Sequence, residues 1–115
     1  MIAGGADVNA LAPEAYFSPL ETAIEQMHAE IVRKLVAAGA DVNRDTGEGW
    51  TPLAHAIDIE SDSAWQAHYE LGHETTELTE ILLEAGAIPT NRALGVAQSY
   101  NNQKACALLH RYMGR

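Results

Sequence analysis

The sequence has only one cysteine, Cys106, so no disulfide can form within the chain. It also lacks any apolar run near the roughly 18 residues of a membrane-spanning helix. No basic segment followed by an apolar one opens the chain, so no signal peptide is expected. A length of 115 residues with 47% hydrophobic residues suits one domain with a continuous core. We therefore expect a single-domain protein of the cytoplasm.

Positive charge is missing from the middle of the chain, because no lysine or arginine lies between Asp45 and Asn91. The same stretch holds ten carboxylates, and the formal net charge of the chain is −9. Such a field repels nucleic acids and anionic membranes, and it accelerates encounter with a basic protein. Acidic surfaces also keep proteins soluble, so a basic partner and solubility both fit the charge.

The sequence patterns typical of catalysis are also missing. There is no nucleophile elbow or phosphate-binding loop, and Gly47-Glu48-Gly49 lacks the lysine of such a loop. His68 and His73 are five residues apart, roughly 140° around a helix, so they make a poor metal pair. We expect no enzymatic activity, no cofactor and no metal site.

Two segments of the chain recur at a nearly constant spacing. The segment Gly-Ala-Asp-Val-Asn occurs at residues 5–9 and again at residues 39–43, and Ser18-Pro19-Leu20 returns as Thr51-Pro52-Leu53. The offsets of 34 and 33 residues are typical of stacked supersecondary units. The chain is therefore predicted to be a repeat array.

Residues 18–43 show what one unit contains. Ser18 and Pro19 form a helix start, in which serine caps free N–H groups and proline occupies the first helical position. Gly39 predicts the end of a second helix. The apolar stripes expected on the two helices are Leu20, Ala23 and Ile24 on the first, and Ile31, Leu35 and Ala38, beside Val32 and Val36, on the second.

These residues resemble the ankyrin repeat, whose pattern runs roughly T-P-L-H-x-A, G-H-x-E-I-V and L-L-x-x-G-A-D-V-N. The positions in register are Ser18-Pro19-Leu20, Ala23, residues 28–32, Leu35 and residues 39–43. The chain departs from the pattern at Glu21 and Ala54, where the histidine would stand, and at Met27, which replaces the glycine between the helices. The resemblance implies an all-α solenoid of helix-turn-helix units with short projecting turns.

The repeat spacing divides residues 1–115 into four parts of one domain. Residues 1–9 form a partial unit, residues 18–43 a full unit, residues 51–87 a unit with an insertion, and residues 91–113 a C-terminal capping unit. The partial first unit leaves two interpretations: a truncated start, or an uncapped end through which the chain self-associates.

The third part, residues 51–87, contains a 14-residue insertion around residues 60–73. Its composition tolerates helix, and Gly72 is a natural stop. We expect a projecting helical hairpin, in which Trp65 and Tyr69 either seal a small core or form an exposed aromatic pair.

The resemblance implies that the contact surface consists of the tips of the projecting turns and the exposed face of the first helices. Phe17 and Trp50 end two such turns, and each either contacts a partner or packs on its own helix as a hydrophobic staple. The residues expected at the surface are Tyr16, Phe17, Glu25, Gln26, Glu48, Trp50, Asp58, Ile59 and Tyr100, with Trp65, His68 and Tyr69 on the insertion.

The family resemblance implies a protein-binding module, and the charge favours a basic partner rather than nucleic acid or a membrane. One hypothesis is an inhibitor or immunity protein that blocks a basic toxin or enzyme. It predicts that Trp50→Ala and charge reversal at Asp58 or Glu60 weaken binding. The alternative is the C-terminal fragment of a longer ankyrin scaffold that self-associates.

Overall fold

The structure, a computed structural model, describes residues 18–66 and 75–113. These residues form helices and turns without any strand, which confirms the predicted all-α class. The helices of this described part are α1 (Pro19–Glu25), α2 (Ala29–Ala37), α3 (Pro52–Gln66), α4 (Glu77–Glu84), α5 (Asn91–Ser99) and α6 (Gln103–Met113).

The helices pack as three consecutive pairs, α1 with α2, α3 with α4, and α5 with α6. Between neighbouring pairs, first helices contact first helices and second helices contact second helices. Thus α3 contacts both α1 and α5, while α4 contacts both α2 and α6. The first helices therefore form one layer and the second helices another, as in a helical repeat solenoid.

The core lies between these two layers. Alanines at matching positions of the first helices, Ala23, Ala56 and Ala97, are almost fully buried and let the helices approach closely. The large buried side chains are Leu20, Ile24, Leu53, Ile57, Leu78, Leu82 and Leu109. On α2 the expected stripe is only partly right: Val32 and Leu35 are buried, whereas Ile31 is 44% exposed and Ala38 is exposed.

The turns within the first and third pairs share one geometry without using glycine. Met27 and Asn101 have φ angles of 57° and 55°, in the left-handed region. In both turns the next residue donates its N–H to a carbonyl of the first helix, His28 to Ala23 and Asn102 to Ala97. Met27 thus adopts a left-handed conformation at a position where the resemblance implies glycine. This conformation has a steric cost for methionine that is smaller for asparagine, the residue at position 101.

Helix α1 begins with a capping box. The Ser18 hydroxyl accepts from the Glu21 N–H, and the Glu21 carboxylate accepts from the Ser18 N–H at 2.9 Å. Glu21 is buried and also binds the guanidinium of Arg44. The glutamate that stands in place of the family histidine therefore caps its own helix and fixes the chain that follows α2.

Helix α3 continues beyond the length of α1, with 15 residues against seven. At this extension three consecutive side chains each contact a different part of the fold. Glu60 accepts from the N–H of Leu78 on α4, Ser61 accepts from the Asn102 side chain at 2.8 Å, and Asp62 accepts from the Tyr100 hydroxyl at 3.3 Å. The extension is thereby anchored to its own partner helix, α4, and to the last helical pair.

Candidate functional site

An open groove of about 690 Å³ lies along the exposed face of α5. Its walls come from Glu48, in the turn before α3, and from Asp58 on α3. The floor and the far side are formed by α5 and the residue that follows it: Asn91, Arg92, Gly95, Val96, Ser99 and Tyr100. Asn91, Gly95 and Ser99 are one helical turn apart, and all three are small and exposed, so the floor is low.

The wall that carries Glu48 is a projecting turn, residues 44–50, which we call the finger. The Asp45 carboxylate accepts from the N–H groups of Gly47 and Gly49, at 2.7 and 3.2 Å. The Thr46 hydroxyl and N–H both donate to the Trp50 carbonyl. Positive φ angles at Gly47, Glu48 and Gly49 give the tight shape. The finger is therefore closed by its own hydrogen bonds.

Two neighbouring units hold the finger in place. At its base, Arg44 binds Glu21 of α1. At its tip, Arg92 of α5 pairs with the Glu48 carboxylate at 3.1 Å, and the Thr90 hydroxyl donates to the Gly49 carbonyl at 2.9 Å. A ligand that contacts the finger meets a preformed surface, which reduces the entropy lost on binding.

The α3 side of the groove is acidic. Asp58 and Asp62 are four residues apart on α3, and both act on the Tyr100 hydroxyl. Partial burial, followed in size by these two negative charges, disfavours the phenolate form of Tyr100. Together these effects raise the pKa of Tyr100 to about 12. Across the groove, the charge of Glu48 faces that of Arg92. The negative potential is therefore concentrated at the Asp58 wall.

A second cluster joins the finger to α1. The Trp50 ring lies 6.1 Å from the His55 ring, at an angle of 38°, and packs partly against the core. The imidazole Nε2 of His55 is 2.9 Å from a carboxylate oxygen of Glu25 on α1. Trp50 is thus a half-buried packing residue that also borders the exposed surface.

The structure places the residues predicted for partner contact as follows. Glu48, Asp58 and Tyr100 line the groove. Glu25 and Gln26 are exposed at the end of α1, and Trp50 and Ile59 are half-buried. Trp65 lies on α3, whereas Tyr16, Phe17, His68 and Tyr69 lie outside the described residues, as does most of the expected hairpin.

Glu60 differs from its expected role as a surface charge. It is 1% exposed, and its carboxylate accepts from the N–H groups of Leu78 and Thr79 and from the Thr79 hydroxyl. Burial is the main reason why the pKa of Glu60 is raised to about 7. Charge reversal at this position would disturb the fold rather than the encounter with a partner.

Arg92 and the small residues of α5 are the groove residues that sequence reasoning missed. Arg92 is the first basic residue after the acidic stretch, and Thr90 precedes α5 as its cap. The threonine cap is a sequence feature that indicates the start of a helix. Its bond to the finger joins residues 44 positions apart, which no local pattern reveals.

Other kinds of site find no support in the described part of the chain. Within residues 18–66 and 75–113, no three His, Cys, Asp or Glu residues are grouped so that they could hold a metal ion. None of the helices described there has both the length and the apolar character needed to cross a bilayer. Burial raises the pKa of the half-buried Cys106 thiol, which makes it a poor nucleophile.

Comparison with known protein families agrees with the paired helices. Residues 1–56 match the model of a family described as ankyrin repeats (many copies). Residues 1–56 therefore belong to the ankyrin repeat family. A comparison with curated proteins gave no match. Ankyrin repeats are generally protein–protein interaction modules, and the family is typically non-catalytic.

Proposed function

We propose that this protein binds a basic protein through the groove between the finger and α5. The observation that carries the proposal is the groove itself, in which a preformed finger and an acidic α3 wall flank a floor of small side chains. A basic partner segment would lie along Asn91, Gly95 and Ser99, with its positive charges toward Asp58.

The charge distribution supports a basic partner over an acidic one. Among the described residues of the acidic stretch, the carboxylates of Glu48, Asp58 and Asp62 lie at or beside the groove. Among the described lining residues, Arg92 is the basic one, and it pairs with Glu48. Complementary charge accelerates association and helps to exclude partners of the wrong sign.

The proposal is tested by parallel capture from a lysate of the native host with the unaltered chain and two charge variants. Asp58→Lys reverses a charge in the groove. Glu84→Lys makes the same change at an exposed position of α4, outside the groove lining. We expect the unaltered chain and Glu84→Lys to retain the same basic protein, and Asp58→Lys to lose it.

Two uncharged substitutions test whether the partner occupies the groove, without changing the charge of the chain. Gly95→Gln places a long side chain over the groove floor, where a Cβ atom meets nothing within 4 Å, so the helix should tolerate it. Ala107→Gln is the matched control at an exposed position of α6. Loss of the partner with Gly95→Gln alone would support the groove. Equal retention by both would refute it, and recovery of only the chain itself would favour self-association.

A second proposal, favoured by the preformed finger, is that the chain acts as an inhibitor of a basic enzyme. Rigid surfaces that need no ordering on binding suit tight inhibitory complexes. If the captured partner is an enzyme, stoichiometric chain should abolish its activity, and Gly95→Gln should restore it. An enzyme that stays fully active in the complex would contradict this role.

A further inference from the structure

The α3–α4 junction contains a buried acid whose hydrogen-bond donors favour its charged form, while its burial favours the neutral form. Glu60 lies in the extended part of α3 and is 1% exposed. One carboxylate oxygen accepts from the Leu78 N–H at 2.8 Å. The other accepts from the Thr79 N–H at 3.3 Å and from the Thr79 hydroxyl at 2.7 Å. Three donors at the start of α4 therefore satisfy the side chain.

No cation within residues 18–66 or 75–113 forms an ion pair with Glu60. The charge that acts on it across the junction is that of Glu77 on α4, which carries the same sign and is paired with Arg33 of α2. On two other described helices that pack against α3, charged side chains have partners other than Glu60. Glu25 of α1 faces His55, and Arg92 of α5 faces Glu48.

The surroundings of Glu60 act in opposite directions on its protonation state. The N–H groups at the start of α4 and their helix dipole favour the charged form. Loss of hydration and the charge of Glu77 favour the neutral form. We propose that Glu60 is a proton-operated latch between α3 and α4, which holds the junction more tightly when protonated and less tightly when charged.

The direction follows from proton linkage. The carboxyl pKa rises from the ordinary value of 4.5 to about 7 in the folded chain, mainly because of burial. Between these values the folded chain holds a proton that the unfolded chain has released, so stability falls as the pH rises. The full contribution of Glu60 protonation to stability is present below about pH 4.5. This contribution is lost by the time the pH has passed about 7.

The most direct test is a ¹³C NMR titration of the Glu60 side-chain carboxyl in the full chain. We expect its midpoint near pH 7. A midpoint for Glu60 close to 4.5, the ordinary value of a glutamate carboxyl, would overturn the proposal. This measurement needs no variant and no partner, so it is independent of the binding function.

Urea denaturation across the same range tests the effect on stability. Glu60→Gln has the shape of the protonated acid but cannot ionise. Between about pH 5 and about pH 8, the unfolding constant of the unaltered chain should rise roughly a hundredfold more than that of Glu60→Gln. Effects of pH that are common to both chains cancel in this comparison.

Glu84→Gln is the matched control, because it removes an exposed carboxyl that does not bond across the junction. Its pH profile should follow that of the unaltered chain. Parallel profiles for Glu60→Gln and the unaltered chain would refute the latch.

Discussion

Arg92 and Glu48 join the last helical pair to the tip of the finger, with the guanidinium Nη2 3.1 Å from the carboxylate Oε2. Both side chains are substantially exposed, so the pair adds less than about 1 kcal/mol to stability. Its effect is positional, because it orients the finger wall of the groove toward α5. The neighbouring hydrogen bond from the Thr90 hydroxyl to the Gly49 carbonyl also holds the finger toward α5.

Gly49→Ala should destabilise the chain by about 1–2 kcal/mol. Gly49 has a φ angle of 83°, and an added Cβ would lie 3.1 Å from Cβ of Arg92 and 3.3 Å from Cβ of Thr90. The finger would have to move away from α5. Urea denaturation monitored by circular dichroism measures the change.

Gly95→Ala is the control for this substitution. Gly95 is an exposed residue in the middle of α5 with nothing within 4 Å of an added Cβ. Alanine there should stabilise the chain by about 0.5–1 kcal/mol through helix propensity. If both alanine variants had the same effect on stability, the close contact of Gly49 with α5 would be refuted.

Trp50→Ala should cost about 1–3 kcal/mol of stability even without a partner, because the half-buried ring packs on the core and beside His55. Its effect on binding therefore has to be separated from its effect on folding. Trp50→Phe keeps an aromatic ring at the same position and should recover most of the loss. Unchanged stability in Trp50→Ala would show that the indole does not pack as described.

Asn102→Ala should destabilise the chain by about 1–3 kcal/mol, because the buried amide bonds to the Ser61 hydroxyl and accepts from the Ala105 N–H at 3.1 Å. Ser61→Ala should cost less, since it removes only the first of these bonds. A double-mutant cycle measures their coupling, which we expect to be favourable by about 0.5–1.5 kcal/mol. A coupling of zero would contradict the link between α3 and α6.

The repeat spacing was sufficient to predict the helical pairs, because capping residues and glycines recur with the period. Ser18 and Gly39 both have the local conformations that their sequence positions indicate. These features depend on neighbours a few residues away, which is the range over which local sequence determines backbone conformation.

Contacts between units could not be predicted in the same way. Glu60 is a glutamate in an acidic stretch, and its sequence neighbours indicate a solvated side chain. Its burial depends on Leu78 and Thr79, 18 and 19 residues further on, at the start of α4. The pairing of Arg92 with Glu48 likewise requires the finger to lie against α5. In both cases the decisive neighbour is supplied by the stacking of units.

The association rate constant of the captured basic partner, measured at several ionic strengths, tests the proposed groove most directly. With Asp58→Lys, we expect the rate constant at low salt to fall at least about tenfold and to approach the unaltered value at high salt. With Glu84→Lys, the change should be several times smaller. An association rate with Asp58→Lys that equals the unaltered rate at every salt concentration would contradict binding through the acidic groove.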